Sequence, residues 1–256
     1  MNNFTTVTEI SGDDISSEQV QRMVHRYQWA QKLSLGKDVL EVGCGTGQGL
    51  GLLLQSSNSV EGGDYSNDLL SVATKYYQER LPLKQFDAQD MPYEDNSKEV
   101  IILFEAIYYV PDAKKFINEC KRVLKPGGIV LIATANKVLE DFNPSPFSYN
   151  YYNCSELQTL FNEFNFQTTF FGYMPISNNV IKSKIISFIK KSAVTLNLMP
   201  KTMAGKKFLK RFVFGKLVTM PHEISGEEYE FIDPVKISKD FVNEPGFKVI
   251  YCIAQF

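Results

Sequence analysis

The sequence predicts an α/β fold, a doubly wound and mostly parallel sheet with helices on both faces, and three stretches carry that prediction. Val39-Leu40-Glu41-Val42 reads as a buried strand that runs into a glycine turn, Gly43-Cys44-Gly45-Thr46-Gly47. Leu50, Leu52, Leu53 and Leu54 then form the apolar side of a helix whose N-terminus points back at the turn. Val100-Ile101-Ile102-Leu103-Phe104 is apolar at successive positions, as a central parallel strand covered on both faces requires. Lys125-Pro126-Gly127-Gly128 ends a helix over 113–124 and reverses the chain into a further strand, Ile129 to Thr134.

Composition sets the outer limits. At 256 residues, 44% apolar and 13% aromatic, the chain can hold one large α/β domain or a core with an insertion. The net charge of -2 selects no partner. Cys44, Cys120, Cys154 and Cys252 form no C-x-x-C pair and read as reduced cysteines of a cytoplasmic protein. With only His25 and His222, no metal cluster is expected. Met1 to Thr6 shows no secretory pattern, and no run suits a membrane span.

Glycines with φ > 0 let a backbone approach a ligand closely, so the turn at 43–47 reads as a nucleotide-type site. It does not fit the dinucleotide pattern G-x-G-x-x-G: from Gly43, Gly45 or Gly47 the last position falls on Gln48, Leu50 or Leu52. No Lys follows the glycines, which excludes the phosphate loop. The pattern that fits is E-x-G-x-G-x-G, from Glu41 to Gly47. Glu41 would repel a pyrophosphate but could orient an ammonium or sulfonium ligand. In these residues the sequence resembles the seven-stranded, class I, Rossmann-like S-adenosylmethionine-dependent methyltransferases. That resemblance implies S-adenosyl-L-methionine as cofactor and a sheet order of 3-2-1-4-5-7-6 with the last strand, Phe247 to Phe256, antiparallel.

Taken in order, Asp14 to Leu33 reads as one or two helices capped by Ser16 or Ser17, after a loose polar start. Within it, Arg26-Tyr27-Gln28-Trp29-Ala30 resembles an R-Y-x-x-A segment of the family. The likeness implies Arg26 on the methionine carboxylate and Tyr27 over the sulfonium, while plain helix packing accounts equally for the aromatics. A weak second strand, Val60 to Gly63, ends in Asp64, which the likeness places on the ribose hydroxyls, with Tyr65 beside the adenine. Ser66 or Asn67 caps a helix to about Glu79. After the short strand Leu83 to Phe86, Asp87-Ala88-Gln89-Asp90-Met91-Pro92 resembles the family's D-A-x-x-L-P segment, implying contacts of Asp87 and the Ala88 amide with the adenine. Phe104 closes the central strand at the cofactor. Glu105, Tyr108 and Tyr109 follow it, where open α/β sheets bind ligands, and Glu105, Tyr108, His25 and His222 are the candidates for a proton acceptor.

Asn136 to Tyr152 is a Pro- and aromatic-rich loop that suits a substrate pocket. A helix from Ser155 to Phe164 and a strand from Phe166 to Tyr173 follow. Residues 174–222 carry ten Lys/Arg and no acid, and Ile181, Ile185, Phe188 and Ile189 share one helical face. Such a helix suits a membrane surface, an anionic substrate, or pairing with the acidic stretch Glu223 to Glu244. The expected organisation is an N-terminal helical lid (1–34), a core (35–173 and 247–256) and a basic helical insertion capping the substrate (174–246). The expected activity is methyl transfer to an O or N nucleophile of a small molecule: a sugar, a natural product or a lipid-linked intermediate. Nucleic acid is not expected as partner, since no recognition module is present and Phe104-Glu105-Ala106-Ile107 lacks the base-methylating N-P-P-Y pattern. The rival readings are a non-catalytic cofactor-binding module and a nicotinamide-dependent oxidoreductase.

Overall fold

A computed structural model describes residues 4–176 and 217–256. In chain order the elements are β1 (Asp14–Ser16), α1 (Ser17–Leu33), β2 (Asp38–Val42), α2 (Leu50–Leu54), β3 (Ser59–Asp64), α3 (Asn67–Tyr77), β4 (Leu83–Gln85), β5 (Lys98–Phe104), α4 (Ala113–Val123), β6 (Leu124–Ala135), α5 (Cys154–Asn162), β7 (Gln167–Pro175), β8 (Leu217–Thr219), β9 (Val235–Lys236) and β10 (Phe247–Gln255). The main sheet runs β4-β3-β2-β5-β6-β10-β7-β9. Numbering its strands from β2 and leaving out β9 gives the 3-2-1-4-5-7-6 order, and β10 is antiparallel to both neighbours. The two-residue β9 is an addition at the edge. This is the strand order that the resemblance implies.

The run Val100 to Phe104 shows why the central strand is apolar throughout. Val100, Ile102 and Phe104 pack on one face with α1, α2 and α3; Ile101 and Leu103 pack on the other with α4 and α5. Strand alternation therefore feeds two cores from one segment. Ser16 and Gln19 form a capping box at the start of α1, so the preceding residues form β1 instead of extending the helix. Ser66 caps α3 and Asp112 caps α4. The Pro-Gly-Gly stretch differs from expectation. Leu124 already pairs with Lys98, so β6 begins directly after α4 and Pro126 to Gly128 fall at a register shift within it.

The segment after the basic stretch also differs. All ten of its Lys/Arg, and the apolar face at Ile181 to Ile189, lie outside the described residues. Among those described, 217–246 holds β8, β9 and a 3₁₀ turn and no α-helix. Pro221, Pro234 and Pro245 interrupt it, each lacking the amide a helix needs. Its acids have partners in the core: Glu223 pairs with Arg80 at 2.6 Å, and Glu244 accepts from the Cys154 amide at 3.1 Å. The segment packs behind the glycine turn, where the Ile224 amide donates to the Gln48 carbonyl and Ile224 is fully buried.

Candidate functional site

Strand order reverses between β2 and β5, and a crevice opens outside their carboxyl ends. A cleft of about 530 Å³ occupies it. Its floor is the glycine turn. Gly43 and Gly45 take φ of 69° and 58°, conformations that a side chain disfavours, and both border the cleft. A Cβ on Gly43 would meet the Cβ of Ala106 at 3.1 Å, so the turns after β2 and β5 abut. Gly47 does not face the cleft. A Cβ there would lie 2.9 Å from Tyr77, so this glycine is needed for the packing of α3.

Asp64 at the end of β3 is fixed against the same turn. Its Oδ2 accepts from the Gly45 amide and its Oδ1 from the Ser66 amide, each at 2.8 Å. Burial raises its pKa, and these two hydrogen bonds oppose the rise. Tyr65 follows, exposed at the rim. Phe86, Asp87 and Ala88 form the adjoining wall, where the Gln89 amide and side chain hold the Asp87 carboxylate. Phe104 is 5% exposed and lines the cleft, with the Tyr27 ring edge-on at 5.4 Å.

Helix α1 supplies the opposite wall. Gln19, Arg22, Met23, Arg26 and Tyr27 recur at helical spacing on one face, and all border the cleft. Arg26 Nε is buried without a hydrogen-bond partner among the described residues. Burial works against the guanidinium charge, but Tyr27, Glu105 and Glu9 outweigh it and raise the pKa. Tyr27 hydroxyl donates to Glu41 Oε1 at 2.5 Å. Glu41 is 1% exposed, and burial pushes its pKa up to about 7 despite that bond and Arg26. Glu41 therefore stands behind the wall of the cleft, where it anchors Tyr27.

At the end of β5, Glu105 takes φ of 50°, and Tyr108 hydroxyl donates to its Oε2 at 3.2 Å. The aromatic loop is tied over this turn: the Tyr149 amide donates to the Tyr108 carbonyl at 2.7 Å, and Tyr151 stacks on Tyr108. Tyr149 borders the cleft while Phe142 and Tyr151 pack inward, so the loop serves both pocket and core.

His25 is corrected. It is 1% exposed on the far side of α1, its Nδ1 within 2.8 Å of Tyr251 hydroxyl and its Nε2 within 2.6 Å of the Ile232 carbonyl. It stacks on Tyr173 at 3.4 Å and does not border the cleft. His222 stacks on Tyr76, likewise away from it. Sequence reasoning missed the strap Val7 to Ser11, which crosses the glycine turn. Ser11 bonds Thr46, Gln48 donates to the Glu9 carbonyl, and Val7, Thr8 and Glu9 border the cleft. Nothing in those polar residues signals the role. Gln19 and Arg22 were legible from their spacing to Arg26.

The fold and the cleft define a class: a Rossmann-like domain with an open cleft at its topological switch point. Residues 40–132 match the methyltransferase domain family. The chain is 32% identical over 153 residues to a probable S-adenosylmethionine-dependent methyltransferase of Mycolicibacterium smegmatis, covering 57% of this chain and 56% of that one. It is 32% identical over 122 residues to a demethylmenaquinone methyltransferase of Oceanobacillus iheyensis, covering 44% and 51%. The chain thus spans about half the length of the curated relatives it matches. The crystal structure of a methyltransferase from Thermotoga maritima, described as a possible histamine N-methyltransferase, superposes with a TM-score of 0.57 at 14% identity, over 93% of this chain and 95% of that one.

The residues present fit S-adenosylmethionine. Two glycines leave room for it, a carboxylate and an arginine whose buried Nε has no hydrogen-bond partner among the described residues border the cleft, and apolar side chains wall the space between.

Proposed function

We propose that the protein transfers a methyl group from S-adenosylmethionine to an O or N nucleophile of a small molecule. One observation carries the reading: the Asp64 carboxylate is fixed by the Gly45 amide at the rim of the glycine turn. In that position it accepts the ribose hydroxyls, with Tyr65 and Ala88 flanking the adenine and Asp87 accepting from its amino group. Gly43 and Gly45 admit the methionine portion, Arg26 meets its carboxylate, and Tyr27 and Phe104 bound the space around the sulfonium. The sulfonium is already an activated electrophile. The protein's part is to align the acceptor with the methyl group and keep water out.

The N-terminal part then acts as a lid: α1 with its arginines forms one wall, and the strap crosses the turn. The acceptor enters between this wall and Tyr108, Tyr109 and Tyr149, an aromatic approach that suits a sugar, a natural product or a lipid-linked compound. The basic stretch within 174–222 would contact an anionic acceptor or a membrane surface. The demethylmenaquinone in one relative's name is compatible with such a partner.

The test is transfer of labelled methyl from S-adenosylmethionine to a panel holding a demethylated quinol, a glycolipid and a soluble phenol. Label is expected in one class of acceptor. Binding of S-adenosylhomocysteine with no label in any acceptor would favour a non-catalytic module.

A further inference from the structure

Glu105 stands at the carboxyl end of the central strand, on the border of the cleft. The residue ends the central strand, with its amide donating to the Ala133 carbonyl at 2.8 Å, and then turns into the left-handed region at φ of 50°. A non-glycine residue pays strain there, and such residues concentrate at functional sites. The turn is held against the cofactor floor, because Ala106 abuts Gly43. The carboxylate borders the cleft and makes no ion pair among the described residues, although Arg22 and Arg26 share the cavity. Its one hydrogen bond among those residues comes from Tyr108, which fixes Oε2.

We propose that Glu105 faces the position of the transferring methyl group and takes the acceptor's proton. This rests on the cofactor reading above and narrows the acceptor to a protic one, a hydroxyl or an ammonium. In the transfer, a lone pair of the acceptor oxygen or nitrogen forms the new bond to the methyl carbon. The carbon–sulfur pair stays on sulfur as a neutral thioether, and the acceptor's proton passes to the Glu105 carboxylate: from a hydroxyl as the bond forms, from an ammonium beforehand, since only the neutral amine carries the lone pair.

The test needs no acceptor. Sinefungin replaces the S–CH₃ group of the cofactor with CH–NH₂, so an ammonium lies where the methyl would be. Calorimetry with sinefungin and S-adenosylhomocysteine compares the two ligands on the wild-type chain, E105Q and E105D. The wild type should prefer sinefungin by about tenfold or more, as a charge-assisted hydrogen bond gives. E105Q should lose that preference while its affinity for S-adenosylhomocysteine stays within about twofold. E105D, with its carboxylate one methylene further back, should keep a reduced preference and serves if E105Q does not fold.

An intact preference in E105Q would overturn the proposal. Equal weakening of both ligands would also overturn it, placing Glu105 on the amino-acid ammonium instead. A wild-type chain that binds neither ligand would refute the cofactor reading, and the base with it.

Discussion

Tyr27 hydroxyl donates to Glu41 Oε1 at 2.5 Å, joining α1 to the strand that ends in the glycine turn. One hydrogen bond thus couples the helical wall of the cleft to its floor. Glu41 titrates near 7 because burial disfavours its charge.

This pair predicts a pH dependence of stability. Burial lets the folded chain hold the Glu41 proton up to about pH 7, whereas an unfolded glutamate releases it near its ordinary value of 4.5. Between those values the folded state binds more protons, so stability falls as pH rises through that window. Glu41→Gln removes this dependence. Thermal melts at pH 5 and 8 should show a smaller difference in Glu41→Gln than in the wild type, and equal differences would contradict the assignment.

Asp64 has two backbone donors in addition to its proposed ligand role. Asp64→Ala should lower affinity for S-adenosylhomocysteine by about 1–3 kcal/mol. Asp64→Asn, which keeps an acceptor for the Gly45 amide, should lose less. Calorimetry on the two variants measures the difference.

Gly47 serves packing, with φ of 80° and Tyr77 2.9 Å from the position of an added Cβ. Gly47→Ala should destabilise the fold by about 1–3 kcal/mol through strain and overpacking. Urea titration reads the change as a lower midpoint at constant slope.

His25 should behave as a core residue. Replacement by Phe leaves the Tyr251 hydroxyl and the Ile232 carbonyl without their partner and should cost about 1–3 kcal/mol per orphaned group. Affinity for S-adenosylhomocysteine should not change, since the ring lies outside the cleft. A variant of normal stability that loses methyl transfer would restore His25 to the chemistry.

The glycine spacing at 43–47, the apolar run at 100–104 and the acids at 64 and 87 made the sheet and the floor of the cleft legible in the sequence, because backbone demands leave local signatures. The strap did not show itself: Thr8, Glu9 and Ser11 acquire their place only from Thr46 and Gln48, about 35 residues away or more. His25 misled for a similar reason. A histidine beside Arg26 and Tyr27 suggests chemistry, but helical periodicity turns it about 100° from Arg26, toward Tyr173 and Tyr251. Glu41 was expected to orient the ligand, and its hydrogen bond from Tyr27, 14 residues earlier, is not legible in the local sequence.

The central claim is that the cleft over the glycine turn holds S-adenosylmethionine. Calorimetric titration of the wild-type chain with S-adenosylhomocysteine, with NADH as control, tests it most directly. The account predicts one saturable site for S-adenosylhomocysteine, weakened in Asp64→Ala, and no heat with NADH. Saturable NADH binding without binding of S-adenosylhomocysteine would contradict it.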